Sequence, residues 1–402
     1  MAREYRHISA DSHLEIPCDR WTPRVPEKYR DRSPRMIRLP EGGDAWLIEG
    51  RPLYRGGVNL CAGKPFEQWS PKGMTYEGAP GAGSPEQRLH EQDIDGIDAE
   101  VLFPGNNGGM IVNSIPDDDA YLAMIRAYND FLAKDYCAVA PDRLLGMGVV
   151  PERSVHYAID EMERCATLWL KGTVLSTFPS GKYHPTPEDH EFWAAALDLD
   201  MPVTVHVQIG ARGARTGPVF KYPRDPGDDI GGQDIVSRMT RYGQYGALSA
   251  NQLVMAGVFD RFPRLMVYFA ENQIGWIPNH LEQMDIHYNR HRFWAERLLG
   301  IEPLDRPPSE YVKEHFLWGF QDNPVGVHMR HFIGVDRVMW ANDFPHAESD
   351  WPNSKAVLER NFAGVPEDET YRMVAGNAIE FFHLDTERPL TETPRDAAAM
   401  SI

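Results

Sequence analysis

Cysteine is scarce in this chain, with four residues in 402 (Cys18, Cys61, Cys137 and Cys165) and no CxxC pair among them. Scattered thiols exclude a zinc ribbon and a thioredoxin-type redox motif, and are expected to be reduced in a cytoplasmic protein. Excess positive charge is also missing: 41 Lys and Arg stand against 59 Asp and Glu, a formal net charge of -18 at pH 7. Neutralising phosphates requires a basic face, so neither nucleic acid nor an anionic membrane surface is an expected partner. No stretch approaches the roughly 18 uninterrupted apolar residues of a membrane span. The first residues carry no apolar signal-peptide core, and no internal repeat or low-complexity array is present.

What remains has the balance of a globular enzyme, with 42% hydrophobic and 25% charged residues. Short β-rich runs alternate with helical patterns. Candidate strands fall at 8–13, 99–103, 144–150, 173–176, 203–207, 265–270, 316–319 and 337–341. Segment 117–139 places Tyr121, Met124, Ile125, Tyr128, Phe131, Leu132 and Tyr136 near a 3.6-residue period. Segments 154–168, 187–199, 234–259, 276–299, 325–333 and 352–362 read as helices in the same way. Strand–helix alternation implies a parallel sheet. Eight units point to a (β/α)8 barrel, which takes about 250 residues and more with insertions. An open doubly wound sheet is the competitor, but the first βα connection lacks the GxGxxG of its dinucleotide-binding form.

A single barrel domain is expected over 1–384. Residues from about 17 to 90 break the alternation and are rich in Pro, Gly, Arg and aromatics, among them Trp21, Trp46, Tyr54, Phe66, Trp69 and Tyr76. This is too long for an ordinary loop, and 44–48 with 51–54 have the pattern of a small hairpin. Emerging after the first strand, the insertion reads either as a lid or pocket wall, or as a subunit-contact flap. A second insertion, 210–232, carries Arg212, Arg215, Lys221 and Arg224. The tail from about Asp385 is polar and reads as an arm or a disordered end. The 276–299 segment is either helix packed on the barrel or a surface for self-association.

Metal-ligand side chains follow several of the apolar runs. Asp11-Ser12-His13-Leu14-Glu15 comes near the start and Asn342-Asp343-Phe344-Pro345-His346 near the end. They are more than 300 residues apart, and only a fold joining its first and last strands brings them together. Positions two apart in a strand share a face, so Asp11, His13 and Glu15 point the same way if the strand runs through them. His206 ends Met201-Pro202-Val203-Thr204-Val205 and Glu271 ends Leu265-Met266-Val267-Tyr268-Phe269-Ala270. Each has an ordinary alternative: a helix cap for Asp11 or Asp343, a hydrogen-bonded core position for His206, an arginine partner for Glu271, a plain loop position for His346. Their shared place at strand ends is what makes them a set. Carboxylates with imidazoles suit Zn²⁺, Mn²⁺ or Fe²⁺.

Over nearly its whole length the chain resembles the amidohydrolase-related family of metal-dependent barrel enzymes, in the branch that includes aminocarboxymuconate-semialdehyde and γ-resorcylate decarboxylases. The resemblance rests on Ala10-Asp11-Ser12-His13-Leu14-Glu15, Arg88 to Ala99, Pro202-Val203-Thr204-Val205-His206, Glu271 to Pro278 and Trp340 to His346. It implies metal ligands at Asp11, His13, His206 and Asp343. Two departures stand out: Asp11 where many relatives have histidine, and Glu271 where decarboxylase relatives often have histidine. With Glu15 and His346 the site is rich enough in acids for two ions.

Three functions therefore remain open at this level. The first is a metal-dependent hydrolase or decarboxylase of a small carboxylate, with Asp343, Glu271 and His206 as its catalytic groups. The second is a dinuclear non-haem Fe or Mn oxygenase. The third is a non-catalytic, metal-stabilised subunit paired with a paralogue. Arg55, Arg212 and Arg215 are the candidate substrate-binding arginines. A homo-oligomer, or a hetero-oligomer with a paralogue, is the expected assembly.

Overall fold

A computed structural model describes residues 4–40, 42–105, 114–209, 223–224, 235–239, 241–243 and 245–394. Among these residues eleven strands are formed: β1 (Ile8–Leu14), β2 (Arg35–Arg38), β3 (Asp44–Ile48), β4 (Arg51–Arg55), β5 (Ala99–Pro104), β6 (Leu144–Val149), β7 (Gly172–Leu175), β8 (Val203–His206), β9 (Val267–Ala270), β10 (Phe316–Phe320) and β11 (Val338–Trp340). Eight of them make one all-parallel sheet in the order β1-β5-β6-β7-β8-β9-β10-β11. Just past β11, two main-chain bonds join the ends of that order. The Asp343 N–H donates to the Asp11 carbonyl at 2.9 Å, and the His13 N–H donates to the Phe344 carbonyl at 2.7 Å. The sheet is thus a barrel, and all eight strands lie where the apolar runs placed them.

Alternation sorts the side chains of each strand. Ala99, Val101 and Phe103 join Ala10, Met147, Val174, Tyr268 and Met339 in the barrel interior. Leu102, Leu144, Val203, Val205 and Phe269 belong to the larger core between barrel and helices. β1 departs from strict alternation: its register against β5 shifts between Ser9 and Ser12. The bulge leaves both serines on the outer side, with their hydroxyls 3.0 Å apart, while Asp11 and His13 face inward together. Bulges of this kind re-aim side chains beside active sites.

One barrel helix escapes the apolar pattern. Pro85–Asp95 begins at Ser84, whose hydroxyl accepts from the Gln87 N–H, and ends at Gly96 in the left-handed region (φ 74°). Its buried face is polar, with Arg88, Glu91, Gln92 and Asp95, so hydrophobic periodicity is blind to it and the insertion ends earlier than about 90. The single helix expected over 234–259 is instead broken into Ile235–Met239, Tyr245–Met255 and Val258–Arg261. Glycines account for the breaks. Gly257 takes φ 65°, and Gly243 takes φ 88° against the Trp276 side chain.

The insertion after β1 carries three antiparallel strands, β2-β3-β4, where a two-strand hairpin was expected. Trp21 and Trp46 are fully buried, and Trp21 meets Tyr128 of the helix Asp118–Phe131 edge-on at 6.0 Å. Gly63 lies against Trp351 and Gly81 against Pro345, so closely that a Cβ on either would overlap the ring. The insertion therefore packs on the loop that carries Asp343 and His346. Residues 385–394 lie against the opposite end of the barrel, where Leu390 is buried and the Thr391 hydroxyl donates to Asp142 at 2.7 Å. The helix Ile277–Leu299 buries Ile277, Leu281 and Ala295, and leaves Phe293, Trp294, Leu298 and Leu299 exposed in its last turns. Among the described residues no helix is long and apolar enough to cross a membrane.

Glu91 gives the fold a measurable pH signature. It is buried, and both of its oxygens accept from the Gly81 N–H at 3.1 Å. Burial, only partly offset by Arg88, raises its pKa to about 7. A carboxyl raised in this way holds a proton in the folded chain that the unfolded chain has released, so stability falls as pH rises from about 4.5 to 7. Glu91→Gln should remove that slope. Its stability relative to the parent should grow by roughly 2 kcal/mol between pH 5.5 and 8, read from denaturant midpoints at the two pH values. A difference that does not move with pH would show that Glu91 ionises normally.

Candidate active site

Residues of β1, the last residue of β8 and residues just past β9 and β11 converge at the C-terminal mouth of the barrel, where enzymes of this architecture carry their chemistry. Ligand-type atoms of Asp11, His13, His206, Glu271 and Asp343 all lie within 4.8 Å of one another. His13 Nε2 is 3.1 Å from Asp343 Oδ1 and 3.4 Å from Asp11 Oδ1. His206 Nε2 faces His13 Nε2 at 3.0 Å and lies 3.6 Å from Asp11 Oδ1. Asp11, His13, Glu271 and Asp343 are buried, while His206 is 23% exposed and marks the open side.

Local backbone geometry aims the two late carboxylates. Glu271 (φ 52°), directly after β9, and Asp343 (φ 54°), three residues past the end of β11, both turn into the left-handed region. That conformation is disfavoured for residues with a Cβ, and it recurs at functional sites.

Burial and close like charges set the electrostatics of the site. Burial holds the Asp343 carboxyl well above the usual carboxylate range, and the neighbouring Glu271 and Asp11 carboxylates push the same way. Burial also raises Asp11, with His206 opposing. His13 is held well below the usual histidine range by burial and then by the imidazoles of His346 and His206. For His206 burial pulls downward, but Asp11 and Glu271 outweigh it and the net shift is upward. All four carboxylate oxygens of Asp11 and Asp343 are buried without a well-formed hydrogen bond among the described residues. Buried charges are normally paired or bound to metal, and a mixed carboxylate–imidazole set fits a divalent ion.

The remaining sequence candidates divide. Glu15 and His346 stand beside the five-residue cluster as a pair, with His346 Nε2 2.9 Å from Glu15 Oε1. The His346 ring stacks on His13 at 3.6 Å with 9° between the planes. Arg55 ends β4 in the insertion, and its side chain lies outside those described. Arg212 and Arg215 lie outside the described residues altogether.

Two arginines at the site were not anticipated. Arg241 reaches Glu271 with Nη1 to Oε1 at 2.8 Å and Nη2 to Oε2 at 2.8 Å. It lies in the middle of the helix expected over 234–259, and only Gly243 hinted that the chain turns there. Arg88 is buried in the polar helix Pro85–Asp95. Its Nη1 donates to the His13 carbonyl and its Nη2 to the Phe344 carbonyl, both at 3.0 Å, and its Nε donates to Glu100 at 2.6 Å. It thereby clamps the seam where β1 meets the loop after β11.

Comparison with known proteins agrees with this geometry. Residues 77–384 match the family model described as Amidohydrolase, which begins after β1 and includes His206, Glu271 and Asp343. A γ-resorcylate decarboxylase from Rhizobium sp. (strain MTP-10005) is 26% identical over 289 residues, covering 68% of this chain and 82% of that protein. A 2-amino-3-carboxymuconate-6-semialdehyde decarboxylase from Dictyostelium discoideum is 23% identical over 321 residues, covering 76% and 78%. Among solved structures, an amidohydrolase from Mycobacterium avium subsp. paratuberculosis K-10 superposes with a TM-score of 0.71 at 17% identity, covering 94% of this chain and 99% of that one. A 5-carboxyvanillate decarboxylase from Novosphingobium aromaticivorans, complexed with manganese, gives 0.64 at 17% identity over 94% and 96%. With three quarters of its length matched by one family model, on a closed barrel whose strands end in acids and imidazoles, the chain belongs to the amidohydrolase family.

Proposed function

We propose that this enzyme is a divalent-metal-dependent decarboxylase of a small aromatic carboxylate, with Asp11, His13, His206 and Asp343 holding the ion. The observation that carries the reading is the convergence of two facing imidazoles with the buried carboxylates of Asp11 and Asp343, whose oxygens lack a well-formed hydrogen bond among the described residues. Relatives named as decarboxylases of carboxylate substrates, and neighbouring structures with bound manganese, support the choice of reaction and of Mn²⁺.

Held by Asp11, His13, His206 and Asp343, a divalent ion would supply positive charge for the substrate carboxylate and a neighbouring ring hydroxyl. The chain's own groups do the rest. Loss of CO₂ breaks the aryl–carboxylate bond and leaves its electron pair on the ring carbon, which must take a proton. In this reading Asp343, three residues past the end of β11 and one of the five clustered side chains, delivers it. His206, on the open side, lines the route by which the proton is replaced from solvent. Phe103, with its ring 5.4 Å from that of His206 and 6.3 Å from that of His13, is an apolar wall for an aromatic ring.

The number of acids around the site favours one further reading, O₂-dependent hydroxylation at a pair of iron or manganese ions. One experiment separates the two. Protein loaded with Mn²⁺, and in parallel with Fe²⁺ or Zn²⁺, is given 2,6-dihydroxybenzoate and related ortho-hydroxybenzoates while CO₂ and O₂ are followed. We expect CO₂ release without O₂ consumption. Oxygen uptake in step with a hydroxylated product, or no CO₂ from any aromatic acid, would overturn the decarboxylase reading.

A further inference from the structure

The acids around the barrel mouth are not equally available to a cation. Glu271 has both oxygens engaged by Arg241, each at 2.8 Å, with the Tyr242 hydroxyl 3.4 Å from Oε1. Bidentate guanidinium–carboxylate pairs are among the strongest side-chain contacts; Glu271 is buried, and Arg241 is 26% exposed. Glu348 braces the arrangement from outside, 3.4 Å from Arg241 Nη1 and accepting from Arg238 at 2.8 Å. The backbone is shaped to deliver the guanidinium. Arg241 lies in the break between two helices, beside Gly243, whose φ of 88° sets it against Trp276. Glu15 is committed in a similar way to His346 at 2.9 Å. Asp11 and Asp343 are the two whose oxygens have no such partner among the described residues.

We infer that Arg241 is a positioning residue that keeps Glu271 out of the metal's coordination shell and so limits the site to one divalent ion. The inference rests on reading the cluster as a metal centre, and it fixes the ion count that the acid-rich sequence leaves open. Two dications within a few ångströms repel strongly unless extra carboxylates face them. Arg241 cancels the charge of the acid best placed to do so. The pair as a whole is neutral, as a neutral imidazole at position 271 would be.

The test is a Mn²⁺ titration of the full-length protein, with free Mn²⁺ followed by electron paramagnetic resonance and bound metal counted by mass spectrometry. The wild type should bind one ion per chain. Arg241→Met should free Glu271 and bind a second. Glu271→Gln should weaken binding about tenfold or more, because it strands a guanidinium beside a dication. The double variant Arg241→Met/Glu271→Gln should return to one ion at close to wild-type affinity, a rescue that a purely structural role for either residue does not produce. Arg241→Lys, which keeps the charge, should bind one ion and serves if Arg241→Met does not fold.

A double variant as weak as Glu271→Gln would show that Glu271 is itself a ligand, and two ions in the wild type would equally overturn the inference. Failure of the underlying metal reading looks different: no Mn²⁺ bound by the wild type, and no change in Asp343→Asn.

Discussion

Asp343→Asn is expected to reduce turnover on the order of 10³-fold or more and to weaken Mn²⁺ binding, with the fold intact. Asp343 unites the roles of ligand and proton donor in our reading, and the amide can neither balance a dication nor deliver the proton. The backbone should not suffer. The left-handed conformation at 343 (φ 54°) is one that asparagine tolerates well, and the bond from the 343 N–H to the Asp11 carbonyl at 2.9 Å is main-chain. Without metal the variant should be at least as stable as the parent. It removes a buried carboxylate whose ionised form is opposed by burial, Glu271 and Asp11, which is the trade of stability for activity expected at such a site. Steady-state kinetics, Mn²⁺ affinity and urea denaturation of the metal-free protein check the three parts. Turnover retained within tenfold would remove Asp343 from the chemistry.

Arg88→Met is expected to be the most destabilising single change in the barrel, at about 3–5 kcal/mol. Arg88 is 1% exposed and its ion-pair partner Glu100 is equally buried. Truncation leaves Glu100 without its 2.6 Å donor and the His13 and Phe344 carbonyls without theirs. Breaking one side of a buried pair costs more than removing both. Arg88→Met/Glu100→Gln should therefore recover much of the loss, because the Ser12 hydroxyl and the Gln92 side chain, now 3.2 Å and 2.9 Å from Glu100, can still bond to the amide. Denaturant midpoints of the four proteins give the coupling. The double variant should also bind Mn²⁺ more weakly than the parent, because the carbonyl of the ligand His13 has lost its clamp. Additive losses would place Glu100 and Arg88 in separate roles.

Legibility in the sequence followed one rule. Features made by a regular period were visible, and features made by convergence were not. The eight barrel strands are apolar runs with clear ends, and Asp11, His13, His206, Glu271 and Asp343 are conspicuous because a charge closes each run. Pro85–Asp95 was absorbed into the insertion because Arg88, Glu91, Gln92 and Asp95 face inward. The break at 241–243 is hidden in the sequence because its flanks keep a helical pattern. Arg212, Arg215 and the Arg55 side chain lie outside what is described, and the described arginines at the site, Arg241 and Arg88, come from a turn between helices and from a helix. Nothing in one dimension marks a guanidinium that is about to meet a carboxylate 30 residues away.

The sequence by itself determined the strand order, the barrel and the identity of the acids and imidazoles, because side-chain alternation and apolar run length are local properties of the backbone. Tertiary structure alone decided what those residues are to one another. It made a seam of Ser9, Ser12, Asn342 and Asp95, with Asn342 accepting from both serine hydroxyls at 2.8 Å and 3.0 Å and donating to Asp95 at 3.1 Å. It paired Glu15 with His346 and Glu271 with Arg241, and left Asp11 and Asp343 facing the centre. The cost of burying a charge depends on which partner arrives from elsewhere in the chain, and only closure of the barrel brings those partners within reach.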